Sequence, residues 1–336
     1  MLVAAVRDRR GADRGLLLAV GSGPEVAMTG VLTGFAIVVA LIAVGYLLGR
    51  AGTLGPQAEF VLTRFAFNAA LPALLFTLVA PARIGEVFTL QFAALAAAAL
   101  ACIGIYAALG AWRRWGLLPT AMGALASGYA NAGNLGIPIA VYVLGSAAPI
   151  VPLMLFQLLL LAPVSLALLD IRTGARAPLR VRLVTPLKNP VVVAALLALG
   201  CSLSGVQLPQ AVLQPLQLLG QATVPVMLTA FGIGLHQHAR PLSGGQRLPT
   251  LAAVGLKLVA GPLITWVVGA LLLHLPHEPL LQAVVCSALP TAQNVYLYSL
   301  RYDDPRAHRV ARDAVFVSTA ASLPAILLVI LLLGGR

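Results

Sequence analysis

Apolar residues run along this chain in blocks, separated by short polar or basic turns. A helix rising 1.5 Å per residue needs about 20 apolar residues to cross a hydrocarbon core of about 30 Å. Blocks of that kind lie at 30–49, 57–80, 87–111, 117–144, 147–169, 189–205, 209–235, 248–273, 279–300 and 310–333. They predict an all-α membrane protein with ten spans, the sixth being the shortest. Two blocks are broken in the middle. The fourth contains Tyr129-Ala-Asn131-Ala-Gly133-Asn134-Leu-Gly136-Ile-Pro138, and the ninth contains Ser287-Ala-Leu-Pro290-Thr291-Ala-Gln293-Asn294-Val-Tyr296. Each backbone group freed there costs several kcal/mol in hydrocarbon unless protein or water satisfies it. Paired breaks in corresponding halves of a chain point to a transport site.

The correspondence extends beyond the breaks. Leu54-Gly-Pro56-Gln57-Ala58 before span 2 resembles Leu208-Pro209-Gln210-Ala211 before span 7. A second proline follows each at the same distance, Pro72 and Pro225, and a carboxamide precedes it by four residues: Asn68 and Gln221. Aligning the broken spans on their asparagines sets Asn131 against Thr291 and Asn134 against Asn294. The chain then divides into 28–169, a basic loop 170–188, and 189–336. Each half holds five spans, an odd number, so the second half is inverted relative to the first. Such inverted repeats let one central site face either side of the membrane.

Composition sharpens the class. Of 336 residues, 60% are hydrophobic and 10% charged, where soluble domains carry about 25% charged residues. The net charge of +12 sits in loops without interleaved aromatics, which speaks for topology and against a nucleic-acid partner. Alternate loops hold fourteen Lys and Arg, among them Arg113, Arg114, five in 170–188 and four in 301–312. The opposite side holds Arg83 and Arg336. The positive-inside rule therefore predicts a multi-pass inner-membrane protein with both termini outside. Arg7, Arg9, Arg10 and Arg14 oppose this orientation. Residues 1–27 are read either as lying upstream of a true start at Met28 or as a disordered tail.

The breaks carry the candidate chemistry. A broken span exposes helix N-termini with unpaired N–H groups and positive dipole ends, which favour an anion. Asn131, Asn134, Gln293 and Asn294 add neutral donors. Gly136 permits close backbone approach, and Pro138, Pro290 and Thr291 complete the two motifs. Asn68, Gln221, Tyr129, Tyr296 and Lys257 form a second tier of candidates. Lys257 lies about 12 Å along its span, so it either snorkels to the cytoplasm or attracts an anion. The ten acidic residues all fall near span ends or in loops, which argues against a cation substrate. Cys102, Cys201 and Cys286 lie in apolar segments without metal or disulfide spacing, and His236 and His238 read as a solvated loop. No metal site, cofactor or enzyme constellation emerges.

Five motifs resemble the auxin efflux carrier family, which includes bacterial malate and malonate permease-like carriers. They are Gly45-Tyr46-Leu-Leu-Gly49, Asn68-x-x-Leu71-Pro72, Asn131-Ala-Gly-Asn134-Leu-Gly136-Ile-Pro138, Lys257-Leu and Leu289-Pro290-Thr291-Ala-x-Asn294. The resemblance implies two inverted five-helix repeats with crossed, broken helices 4 and 9, as in sodium/proton antiporters and bile-acid symporters. It implies a scaffold of spans 1, 2, 6 and 7 that forms a homodimer in the bilayer, and a mobile bundle of spans 3–5 and 8–10. It also implies a small organic anion at the crossover, bound by Asn131, Asn134, Pro138, Pro290 and Asn294: a mono- or dicarboxylate such as malate or malonate, or an auxin-like acid. The alternative is a sodium- or proton-coupled symporter of a larger amphipathic anion.

Overall fold

A computed structural model describes residues 24–81, 89–173, 189–204, 206, 208–237, 242 and 245–334. Most of the N-terminal segment 1–27, Arg83, most of the basic loop 170–188, and His238 lie outside the described residues. The described chain is helical. The helices are α1 (Pro24–Ala51), α2 (Ala58–Val79), α3 (Leu90–Trp112), α4 (Leu117–Gly128), α5 (Ala132–Val143), α6 (Ala148–Asp170), α7 (Pro190–Ser204), α8 (Gln210–Gln221), α9 (Thr223–Gln237), α10 (Arg247–Leu272), α11 (His277–Ser287), α12 (Gln293–Ser299) and α13 (Pro305–Leu333). Among the described residues, six stretches are long and apolar enough to cross a membrane: α2, α3, α6, α8 running into α9 (Gln210–Gly234), α10 and α13. The segments Ala36–Ala51, Leu117–Gly128, Ala132–Val143 and Pro190–Ser204 are shorter apolar helices.

Proline shapes these helices in a repeated way. Ala66–Ala70, Ala132–Gly136, Gln157–Leu161 and Leu256–Ala260 each form one turn of π-helix. In each case a proline stands two residues beyond the turn: Pro72, Pro138, Pro163 and Pro262. A proline has no N–H, and its ring collides with the carbonyl four residues back. Widening the preceding turn by one residue moves that carbonyl aside while the chain stays helical. Gly136 N, for example, donates to Asn131 O, five residues back, at 2.8 Å. Beside Pro72, Asn68 Nδ2 donates to Arg64 O at 2.8 Å. Near Pro225 the helix breaks instead, at Ala222 between α8 and α9.

The helices fall into two groups. α9 packs along α1 and α2, and α7 and α8 pack against α2. A Cβ at Gly45 would run into the Thr229 backbone and one at Gly232 into the Ile42 carbonyl, so α1 and α9 touch backbone to backbone. Small residues at such a contact replace the hydrophobic drive that lipid removes. In the second group α3 packs on α4, α10 and α11, while α13 packs on α4, α10 and α12. Tyr106, Met122, Val254, Val295 and Ala311 form a core inside this group. α5 reaches across to α1 and α9 and joins the two.

Two carboxylates near span ends are nevertheless buried. Asp170 and Asp313 are 1% and 2% exposed, and both are compensated, as burial requires. Asp170 accepts from Arg301 Nη2 at 2.7 Å and Tyr302 Oη at 2.9 Å, tying the end of α6 to the turn before α13. Asp313 accepts from Arg312 Nε at 2.9 Å and from Leu242 N at 3.1 Å. Asp304 caps α13 by accepting from Arg306 N and Ala307 N. Burial raises its carboxyl, but those two N–H groups and Arg306 outweigh burial and hold it below the ordinary carboxylate range.

Candidate functional site at the helix crossover

The two broken stretches meet. Residues 129–131 pass antiparallel to residues 290–292, with Ala130 opposite Thr291. Asn131 N donates to Pro290 O at 2.7 Å, and Ala292 N donates to Tyr129 O at 3.0 Å. The pair satisfies four backbone groups that the breaks had freed. Side chains from the following helices meet three of the remaining groups of the two central residues, and Ala132 N also donates to Ala130 O at 2.8 Å. Turned so that both its ends are satisfied, the Gln157 carboxamide donates to Ala130 O at 2.9 Å and accepts from Ala130 N at 2.8 Å. Ser318 Oγ accepts from Thr291 N at 3.0 Å. Thr291 Oγ1 donates to Ala126 O at 2.7 Å. Gln157 and Ser318 thus hold the crossing in place. In the sequence both are polar positions within apolar runs, and nothing local marks this task.

The crossing sorts four helix ends into two pairs. The C-terminal ends of α4 and α11 lie on one side. There Ser127, Gly128, Cys286 and Ser287 line a cavity of about 20 Å³ together with Cys102 and Lys257. Lys257 is 4% exposed and donates to Ser287 O at 2.8 Å. It does not snorkel: the side chain turns inward to the carbonyl end of α11. A cation at a helix C-terminus offsets both the dipole and the unpaired carbonyls, and here it serves a site where two such ends converge.

The starts of α5 and α12 lie on the other side. They border a cavity of about 30 Å³ lined by Tyr129, Asn131, Asn134, Gln157, Gln293 and Asn294, with Phe67 closing it from α2. Asn131 caps α5: its Oδ1 accepts from Asn134 N at 3.1 Å. Its Nδ2 is buried and has no hydrogen-bond partner. Asn134 Nδ2 donates to Gln293 Oε1 at 3.2 Å, linking the two breaks through their side chains. Tyr129 packs edge-on against Tyr298, with ring centroids 6.1 Å apart. No charged side chain lines this cavity.

The other sequence candidates separate by role. Pro290, Thr291, Gly136 and Pro138 are buried in the crossing and shape it. A Cβ at Gly136 would stand 2.9 Å from Leu289 Cδ1 and 3.1 Å from Asn131 O. Tyr296 and Gln293 line a larger cavity of about 320 Å³ between Glu59, Phe231 and Gly234 on one wall and Arg312, Phe316 and Thr319 on the other. Asn68 and Gln221 are exposed and lie apart from all three cavities. Among the described residues, no three His, Cys, Asp or Glu side chains gather to hold a metal ion.

A family model described as membrane transport protein, that of the auxin efflux carriers, matches residues 31–169 and 174–330. The chain belongs to this family. No curated protein compared with it matches. Family members are membrane transporters, so the chain is a multi-pass membrane transport protein. The two matched stretches together contain both breaks, Lys257, Gln157 and Ser318.

Proposed function

We propose that this transporter carries a small organic anion, a mono- or dicarboxylate such as malate or malonate, or an auxin-like acid, by alternating access at the crossover. The observation that carries this reading is the orphaned Nδ2 of Asn131. It is a buried donor without a partner, in a cavity at the start of α5 that no charged side chain lines. A carboxylate would accept from Asn131 and Asn134 and from the first N–H groups of α5, with Gln293 and Asn294 opposite. The cavity has room for one or two waters as it stands. Substrate entry therefore requires the Asn134–Gln293 hydrogen bond to open toward the larger cavity, which Gln293 also lines.

The proposed architecture is ten spans in two inverted halves, 28–169 and 189–336, with the broken spans crossing. The paired backbone bonds support it, because exchanging 129 with 290 and 131 with 292 turns one bond into the other. The same separation relates Gln157 to Ser318 and Pro163 to Pro324. This register is one residue away from the alignment on the asparagines, and it makes Ala292, not Thr291, the counterpart of Asn131. The group of α1, α2, α7, α8 and α9 would stand as scaffold in an elevator motion, and the group holding the crossover would move. The basic-loop asymmetry supports both termini outside an inner membrane.

The larger cavity, with Phe231 and Phe316 on facing walls, favours a second reading: coupled transport of a larger amphipathic anion. Lys257 weighs against sodium as the coupling ion, since it already supplies a cation to the two C-terminal helix ends. Purified protein in liposomes, given labelled malate, malonate and indole-type acids, tests both readings. Uptake that Asn134→Ala or Asn294→Ala removes supports the first. Uptake only under an imposed sodium gradient supports the second. No uptake of any organic acid defeats both.

A further inference from the structure

Two tryptophans close together at the end of α3, Trp112 and Trp115, turn in opposite directions. Trp115 turns inward and packs on Tyr106, with ring centroids 5.4 Å apart. Trp112 is 74% exposed, more than any other large apolar side chain among the described residues. The turn between α3 and α4 fixes this arrangement. Arg113 N donates to Leu109 O at 2.8 Å, Arg114 N to Ala111 O at 3.2 Å and Trp115 N to Gly110 O at 3.0 Å. Arg114 takes a left-handed φ of 55° to close the turn. A span that ends in an outward tryptophan sets that ring at the level of the lipid headgroups. The Arg113 guanidinium lies over the Trp112 ring, 5.0 Å from its centroid. Arg114 follows it and is also exposed. Arg306 reaches the same turn from the start of α13: its Nη2 would stand 3.5 Å from a Cβ at Gly116. Among the described residues no carboxylate pairs with Arg113 or Arg114, and Arg306 pairs with Asp304 at 3.5 Å.

We infer that this corner binds the headgroup of an anionic phospholipid. Three guanidiniums gather at one end of a span with a single carboxylate among them. A phosphodiester is the acceptor that the bilayer offers at that level, and its negative charge is what the corner lacks. Arginine fits the task because its planar fork can stay stacked on a ring while its edges donate. The acyl chains would lie against Trp112 and Leu117, both exposed. Those apolar side chains point to a lipid, since a free phosphate ion would leave them uncovered. Arg113 and Arg114 come from the first half of the chain and Arg306 from the second. A bound headgroup would therefore clamp the two halves of the helix group that holds the crossover. The inference does not rest on the substrate proposed above, because these residues line none of the three cavities.

The test uses the full chain carrying Trp115→Phe and Trp266→Phe, which leaves Trp112 as its one tryptophan. In bilayers with a fraction of brominated lipid, its fluorescence reports which lipid lies beside it. Dibrominated phosphatidylglycerol is expected to quench Trp112 more than dibrominated phosphatidylcholine at the same mole fraction. Arg113→Gln, Arg114→Gln and Arg306→Gln are each expected to lower that preference, by about fivefold per arginine. Arg50→Gln, at the end of α1 in the other helix group, is expected to leave it unchanged. Native mass measurement of the unsubstituted chain, titrated in detergent with the two unbrominated lipids, is expected to show phosphatidylglycerol retained in preference. That arm keeps the test open if the tryptophan variants do not fold. Equal quenching or equal retention of the two lipids overturns the inference. So does a preference that Arg50→Gln lowers as much as Arg113→Gln, because the general charge of the surface then explains it. Loss of the preference on adding millimolar inorganic phosphate also overturns it, since the corner would then bind a soluble phosphate instead of a lipid.

Discussion

The two sides of the crossover are built from the same backbone device and have opposite chemistry. On one side two helix C-termini converge, and Lys257 is already there, buried and bonded to Ser287 O. On the other side α5 and α12 begin, and the lining is neutral: Asn131, Asn134, Gln293 and Asn294. The difference shows that the built-in charge at the crossover is a cation at the carbonyl ends, with no charged side chain at the amide ends. Carbonyl ends facing one another in a low-dielectric interior need a cation in every state of the protein, so the chain supplies one. On the function proposed above, the amide ends carry donors and no charge so that an anion could both bind and leave.

Substitutions can break this contrast, and the largest effect is expected at its charged side. Lys257→Met should strand the Ser287 carbonyl and leave two C-terminal ends uncompensated. A buried acceptor without a partner costs about 1–3 kcal/mol, so the melting temperature in detergent should fall and liposome uptake should drop to background. Uptake unchanged in a folded Lys257→Met protein would remove the asymmetry. Next comes Asn131→Asp, which keeps an oxygen to cap Asn134 N but adds a negative charge where the substrate carboxylate would lie. Uptake should be lost with the melting temperature nearly unchanged. If Asn131→Asp transports normally, the neutral side is not the anion site.

Smaller effects probe the backbone device that both sides share. Gln157→Leu strands the Ala130 N–H and leaves Ala130 O with Ala132 N as its remaining donor, whereas Ser318→Ala strands only the Thr291 N–H. At about 1–3 kcal/mol per stranded group, and with the second bond to Ala130 also lost, the glutamine variant should unfold at lower denaturant than the serine variant. Equal losses would mean that the two halves of the crossing are held differently from the description above. The smallest change is Gly136→Ala. Its Cβ would press on Leu289 Cδ1 and Asn131 O, an overpacking of about 1–3 kcal/mol that adjacent side chains partly absorb. It should reduce uptake more than stability, because the displaced group is the Asn131 turn.

Much of this was legible in the chain as written. The lengths of the apolar runs announced membrane helices, since hydrocarbon leaves the backbone few options. Asn131-Ala-Gly-Asn134 and Gln293-Asn294 marked the breaks because carboxamides cluster there with glycine and proline inside an apolar run. Other features lay beyond local reading. The burial of Asp170 and Asp313 depends on Arg301, Tyr302 and Leu242 arriving from distant segments. The inward turn of Lys257 depends on the carbonyl end of α11, 30 residues away in the chain. Gln157 was visible as a polar residue in an apolar run, yet its task requires knowing that Ala130 pairs with Thr291. Matching asparagine to asparagine pairs Asn131 with Thr291, whereas the two backbone bonds exchange when 129 is set against 290 and 131 against 292. The backbone pairing follows the start of each helix instead, and side-chain identity at equivalent positions differs.

Helix, break and most of the wide turns are consequences of local sequence: run length, carboxamides, and a proline two residues past four of the five π-turns among the described residues, Val268–Leu272 being the exception. Those effects act within a few residues, so a chain read in order reveals them. The meeting of the breaks, the sorting of their ends and the placement of one cation against two carbonyl termini belong to the tertiary structure. Dipoles and buried hydrogen bonds act through space, and only packing brings residue 131 beside residue 290.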